Sequence, residues 1–247
     1  MDNSGPSDNI KSDARKQCVC LLYASTGSGH KNASEAIRLS IARRRPGLEI
    51  IALDILDFMP GFLARIYSKG YLLAASRYPL LWYLIYESGS DLSDYKQPGF
   101  LHKAFWGTAL GKLFNLLQRE KPGYIVSTHF LSSWVAGQYK IKYDFNCKVA
   151  TVITDYGVHP VWIAPGQDVV FVGSQQLKAE LEPFADYFGT NRFEVVGIPI
   201  HPRYTDDKDV ELLKRKFNLD PDRISILILS DVSGTKNVNR ILSALAG

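Results

Sequence analysis

Seven short apolar runs punctuate the chain and leave few folds open to it. They stand at 18–24, 48–54, 123–128, 148–154, 168–173, 192–197 and 223–229, each closed by a polar or glycine position. Helical patterns fill most of the gaps. One covers 32–45 and stops at Pro46-Gly47. Another covers 101–120, with Phe105, Ala109, Leu113 and Leu117 at helical spacing, and stops at Lys121-Pro122-Gly123. A third covers 175–188, with Ser174 suited to its N-cap and Gly189 to its C-cap. Strands apolar on both faces, alternating with helices, predict a parallel sheet covered on both sides. The expected fold is α/β, a doubly wound Rossmann-like parallel sheet, and ligands of such sheets gather at the carboxyl ends of the strands.

Two stretches break the rhythm. Residues 61–94 hold no strand and are crowded with Tyr, Leu and Trp, and Pro79 suits the first turn of a second helix, so two short helices are expected. They read either as core helices or as a surface that dips aromatics into lipid while basic residues meet headgroups. Arg65, Lys69, Tyr71 and Trp82 are the candidate membrane contacts, with Arg77 spaced beside them. Residues 197–223 are rich in prolines and charges and read as a linker with a short polar helix. One further strand and helix follow, with Ser233 and Gly234 in the turn between. A lone strand and helix cannot make a domain. The expected division is a polar, mobile tail over 1–17, a first domain over 18–200, a linker over 201–222, and over 223–247 the first strand–helix unit of a truncated second domain.

Composition narrows the partners. A net charge of +4 without a long run of like charges is no footprint for nucleic acid, and it suits an anionic membrane surface. Cys18 and Cys20 lie two apart in a strand and point to one face, and no Cys or His stands at metal-ligand spacing, so a reduced, cytoplasmic chain is expected. The N-terminal tail lacks the apolar core of a signal peptide. No run approaches the ~20 apolar residues of a membrane span.

The first strand runs into TGSGHKNASEA. A Walker A reading fails because His30 stands where that motif needs a glycine before lysine. The dinucleotide fingerprint finds Gly27 and Gly29 but has Asn32 at its third glycine. Asp54, ending the second strand, keeps an NAD-type oxidoreductase reading open. His30 reads as a surface cap of the turn or as a general base, since a helix N-terminus disfavours imidazolium and leaves the ring able to take a hydroxyl proton. His129, Asp155 and His159 follow other strand ends, so a parallel sheet gathers them with His30 on one rim. No pair has the helix-face spacing of a zinc site, and no metal is expected. Asp155 has a plainer alternative as a turn cap, and Trp162 as core.

Taken together, STGSGHKNASEAI, VSTHF, TVITDYGVHPVW and VVGIPIHPRY resemble, in order and spacing, the segments of monogalactosyldiacylglycerol synthases and bacterial processive diacylglycerol glucosyltransferases. Both belong to glycosyltransferase family 28, and the resemblance runs over about 18–247. It implies a GT-B enzyme in which 18–200 is the acceptor and membrane-binding domain and 223–247 opens the nucleotide-sugar domain. It implies inverting transfer of a hexose from UDP-glucose or UDP-galactose to diacylglycerol, without metal or other cofactor, by a peripheral protein on the cytoplasmic face of the membrane. By the same resemblance His30 is the candidate base and Asp155 orients or polarises it. Gly27, Gly29, His129, His159, Pro160 and Trp162 fall to the acceptor site, and Ser233 and Gly234 to the donor site. Relatives carry several glycines where this chain has Gly234 alone, and the donor site would lie mostly beyond residue 247, so the chain by itself is expected to be inactive. A non-catalytic lipid-binding module with the same acceptor fold is the alternative.

Overall fold

The computed structural model describes residues 18–67, 109–157, 159–185, 189, 192–228 and 235–246. The tail over 1–17, residues 68–94 of the aromatic stretch with Lys69, Tyr71, Arg77 and Trp82, and the turn with Ser233 and Gly234 lie outside the described residues.

The apolar runs form β1 (Cys18–Tyr23), β2 (Glu49–Asp54), β3 (Tyr124–Ser127), β4 (Lys148–Val152), β5 (Val169–Val172) and β6 (Phe193–Val195). All five pairings are parallel, in the order β2-β1-β3-β4-β5-β6. The helices are α1 (Ser28–Arg44), α2 (Gly111–Glu120), α3 (Phe130–Lys142), α4 (Gln175–Leu181), α5 (Val210–Lys216) and α6 (Thr235–Ala246), and residues 61–67 are also helical. One face of the sheet, carrying Cys20, Leu22, Ile125 and Val149, packs against Leu113 and Leu117 of α2 and Val135, Ala136 and Tyr139 of α3. The strands alternate, so Val19 and Leu21 turn to the other face, where α1 buries Ala33 and Ala36. The fold is a Rossmann-like α/β sheet, as the rhythm of apolar runs predicts.

From β1 the chain moves outward to β2, then returns across β1 to β3 and proceeds the other way. The strand order therefore reverses between β1 and β3, and a crevice opens there at the carboxyl ends. His30 follows β1 and His129 follows β3, one on each side of that crevice.

Four elements depart from expectation. Of the helix expected over 101–120, residues 101–108 lie outside the described ones, and Leu110 is the N-cap from which α2 starts at Gly111. The helix after β1 starts at Ser28 rather than 32, which places His30 in its first turn. Tertiary bonds override the poor helix propensity of Ser28 and Gly29 there: the Thr128 hydroxyl donates to the His30 carbonyl at 2.9 Å. The helix after Ser174 ends at Leu181 and tightens to a 3-10 turn over Glu182–Phe184, where Pro183 has no N–H to continue the ladder. The predicted strand at 223–229 is not one over its described residues 223–228. Ile224, Ile226 and Leu227 stand exposed there, and among the described residues no neighbouring strand supplies the ladder that would define it.

Candidate active site

The site is built around one ring. His30 Nδ1 lies 2.8 Å from the carbonyl oxygen of Thr128 and 2.9 Å from the Thr154 hydroxyl. A carbonyl only accepts, so Nδ1 carries the proton and donates it, and Nε2 is the nitrogen left to accept one. With the Thr128 hydroxyl bonded back to the His30 carbonyl, the two residues clamp each other across the strand-order reversal. Burial lowers the His30 pKa below the usual histidine value, while the Thr128 bond and the charge of Asp155 oppose that shift. Burial, more than the helix terminus, is what keeps this ring neutral.

The other described histidines are built the opposite way. His129, His159 and His201 each accept at Nδ1 from the backbone N–H two residues ahead, at 3.1, 3.0 and 3.1 Å. Each therefore holds its own turn. His129 caps α3, is fully buried, and has its pKa pushed down to about 3 by burial and by His30. Its ring meets His30 edge-on with centroids 4.5 Å apart, and its Nε2 lies 3.4 Å from the Thr26 hydroxyl.

A cavity of about 250 Å³ opens over His30, walled by Thr26, Gly27, Gly29, Asn32, Ala33, Thr154, Asp155, Ile198 and Pro199. It is smaller than the roughly 300–1,000 Å³ of a typical whole-ligand pocket and has room for a small polar group. Of the residues that the sequence assigns to chemistry, His30, Asp155, Gly27 and Gly29 meet here. Three others do not line the cavity. His129 is buried beneath His30, His159 is 7% exposed under the following loop, and Trp162, 1% exposed, is core. Pro160 opens the short turn Pro160–Trp162, and its side chain is outside the described set.

Asp155 does not touch the His30 Nδ1 proton, which Thr128 takes; its Oδ2 accepts from the Trp162 indole N–H at 3.0 Å. Asp54 accepts from the backbone N–H of Leu56 and of Ser25, so it caps local turns and offers no exposed carboxylate for a ribose. Thr26, Asn32, Thr154, Ile198 and Pro199 were not singled out from the sequence as site residues. Thr154 had a signal, standing beside Asp155 at the end of a strand, and Ile198-Pro199 sits inside the GIPIHP segment. Among the described residues no group of three His, Cys, Asp or Glu is placed to hold a metal ion.

Gly27, the N-cap of α1, and Gly29, in its first turn, have a use that backbone strain does not explain. Gly27 is extended, with φ −171°, and a Cβ on Gly27 or Gly29 would meet no atom within 4 Å. What the missing side chains leave is room in the cavity. Gly29→Ala is therefore expected to keep or raise stability, by up to about 1 kcal/mol from helix propensity, while lowering affinity for the ligand that fills the cavity. A thermal melt beside a binding or rate measurement checks both signs.

The family model described as monogalactosyldiacylglycerol (MGDG) synthase matches residues 30–200, more than half of the chain. The chain belongs to that family. Among curated proteins, processive diacylglycerol beta-glucosyltransferases are similar to it. The protein of Staphylococcus saprophyticus is 27% identical over 218 residues, covering 87% of this chain and 53% of the relative. That of Staphylococcus carnosus is 26% identical over 218 residues with the same coverage, and that of Staphylococcus aureus 27% over 219. The chain thus spans about half the length of the curated relatives it matches.

Proposed function

We propose that the protein is a glycosyltransferase acting on diacylglycerol, with this chain supplying the acceptor side. In this reading residues 18–200 are the acceptor domain, 201–222 the linker, and 223–247 the beginning of the part that binds a UDP-sugar. The observation that carries it is the inverted tautomer of His30: alone among the described histidines, it donates at Nδ1 and lines a cavity. Family membership and the names of the relatives supply the substrate class.

The chemistry follows from that ring. The glycerol hydroxyl enters the cavity, His30 Nε2 removes its proton, and the oxygen forms a bond to the anomeric carbon as the bond to UDP breaks. Attack opposite the departing UDP inverts the anomeric centre. His30 then holds a proton whose charge Asp155 stabilises. No metal or other cofactor enters this scheme, and Ser233 and Gly234 belong to the donor side.

The acceptor is a lipid, so the protein works as a peripheral protein at the membrane, on its cytoplasmic face. No described helix is long and apolar enough to cross a membrane. The helical residues 61–67 support contact instead. Ala64 and Tyr67 pack onto the core, with Tyr67 6.4 Å from the His129 ring, while Phe62, Arg65 and Ile66 point outward and stand exposed. Arg65→Glu is expected to weaken binding to anionic vesicles roughly tenfold, an effect that shrinks as salt rises. Equal binding by both proteins in a flotation assay would remove Arg65 from the contact.

The direct test incubates the full-length protein with diacylglycerol vesicles and UDP-glucose or UDP-galactose, followed by mass spectrometry. A hexosyl-diacylglycerol product establishes the activity and names the sugar. A folded protein that binds vesicles and forms no hexosyl lipid from either donor overturns it in favour of a lipid-binding module.

A further inference from the structure

We propose that Trp162 is a positioning residue for the His30–Asp155 pair, its buried indole N–H tethering the carboxylate to the cavity wall; this rests on the reading of His30 as the base. Asp155 is exposed and follows the end of β4, where an untethered carboxylate would sample several rotamers. Trp162 lies beneath it, 1% exposed, with its ring 6.1 Å from His30 and edge-on to Phe130 at 6.2 Å. Its indole has a single polar atom, a donor, and that donor reaches Asp155 Oδ2 at 3.0 Å. Leaving a buried donor unmade is costly, so the bond locks the exposed partner to the buried one.

The anchor is itself fixed. Gln167, 4% exposed, sits under the loop with its amide nitrogen 2.8 Å from the Trp162 carbonyl, 2.6 Å from the Ser133 hydroxyl and 2.7 Å from that of Thr151. Its Oε1 accepts from the Ala164 N–H at 3.0 Å. The backbone around Trp162 is thereby tied to α3 and β4. From core to cavity the chain of contacts runs Gln167, Trp162, Asp155, and the charge of Asp155 then acts on His30. Among the described residues, the other titratable or charged groups near His30 are its exposed neighbour Lys31 on α1 and His129 from the β3–α3 junction. Burial keeps His129 uncharged above about pH 3. Among the described residues, Asp155 is thus the one charge whose position near His30 the buried core controls.

The test is an imidazole titration by NMR in the isotope-labelled full-length protein, which reads the pair whether or not turnover is detected. The wild type is compared with Asp155→Asn, Trp162→Phe and the double variant. The Asp155 charge raises the His30 pKa, so its removal moves the His30 midpoint downward. Trp162→Phe is expected to move it in the same direction by less, and the double variant to match Asp155→Asn alone. An unchanged midpoint in Trp162→Phe, or full additivity in the double variant, overturns the proposal. Should Trp162→Phe fail to fold, the indole signals decide. The chain has four Trp, and Asp155→Ala is expected to shift one indole N–H and speed its exchange. If no indole signal responds, the tether is absent. Loss of the glycosyltransferase reading would appear separately, as absent product in the wild type with these titrations intact.

Discussion

Replacing His30 by glutamine is expected to lower turnover of the full-length enzyme by roughly 10²–10⁴-fold while the protein stays folded. The Thr128 hydroxyl donates to the His30 backbone carbonyl, a bond that does not depend on the side chain, so that half of the clamp across the strand-order reversal persists while the proton acceptor is lost. The pH dependence gives the sharper test. Burial sets the ionisation of His30 below the usual histidine value, and the base works only when neutral. The rate is therefore expected to rise with pH through that lowered midpoint and to level off above it. His30→Gln should flatten this acid limb as well as lower the plateau. Stability runs with the same sign. A histidine whose folded pKa is lowered costs nothing above the unfolded value near 6.5, and it destabilises progressively as pH falls from there to the folded midpoint. His129 extends that loss further, towards about pH 3. A rate that His30→Gln leaves unchanged would reduce the residue to a turn cap.

The sheet was legible because its signal is collective. Six apolar runs became six parallel strands, each within a few residues of its expected bounds. The seventh run misled because β-branched residues make a strand possible, whereas hydrogen bonding to a neighbour makes it real. Ile224 and Ile226 have the composition, and no strand among the described residues pairs with them. Around the crevice, sequence position identified the rim and not the depth. His129 and His159 follow strand ends just as His30 does, yet each turns its ring back to hold the next N–H of its own chain. That choice rests on side-chain rotamers and contacts from distant segments, such as Thr128 meeting His30 across 98 positions. Gln167 was invisible for the same reason. A lone glutamine in a loop carries no periodic signal, and its four contacts come from residues separated along the chain but gathered in space.

The largest stability effect is expected at Gly137, and it concerns the same loop. On α3, Gly137 passes directly beneath the backbone of Pro165 and Gly166, and a Cβ at Gly137 would run into the Pro165 carbonyl oxygen. A Cβ at Gly166 would in turn lie 2.8 Å from the Gly137 carbonyl oxygen, and Gly166 has φ +87°, a conformation that side chains disfavour. Here backbone meets backbone, so no side chain can swing aside. Gly137→Ala must push the whole 162–167 loop away from α3, separating Gln167 from the Ser133 and Thr151 hydroxyls that it bonds. Overpacking of this kind costs up to about 3 kcal/mol, and the broken network adds to it. For a chain of this length, 3 kcal/mol alone corresponds to a fall in Tm of roughly 6–12 °C. Gly111→Ala is the control, since a Cβ there meets nothing within 4 Å and the residue opens α2. Its melt should match or exceed that of the wild type. If Gly137→Ala melts with the control, the loop has room to move, and the rigidity that this packing lends to Trp162 and Asp155 is not there.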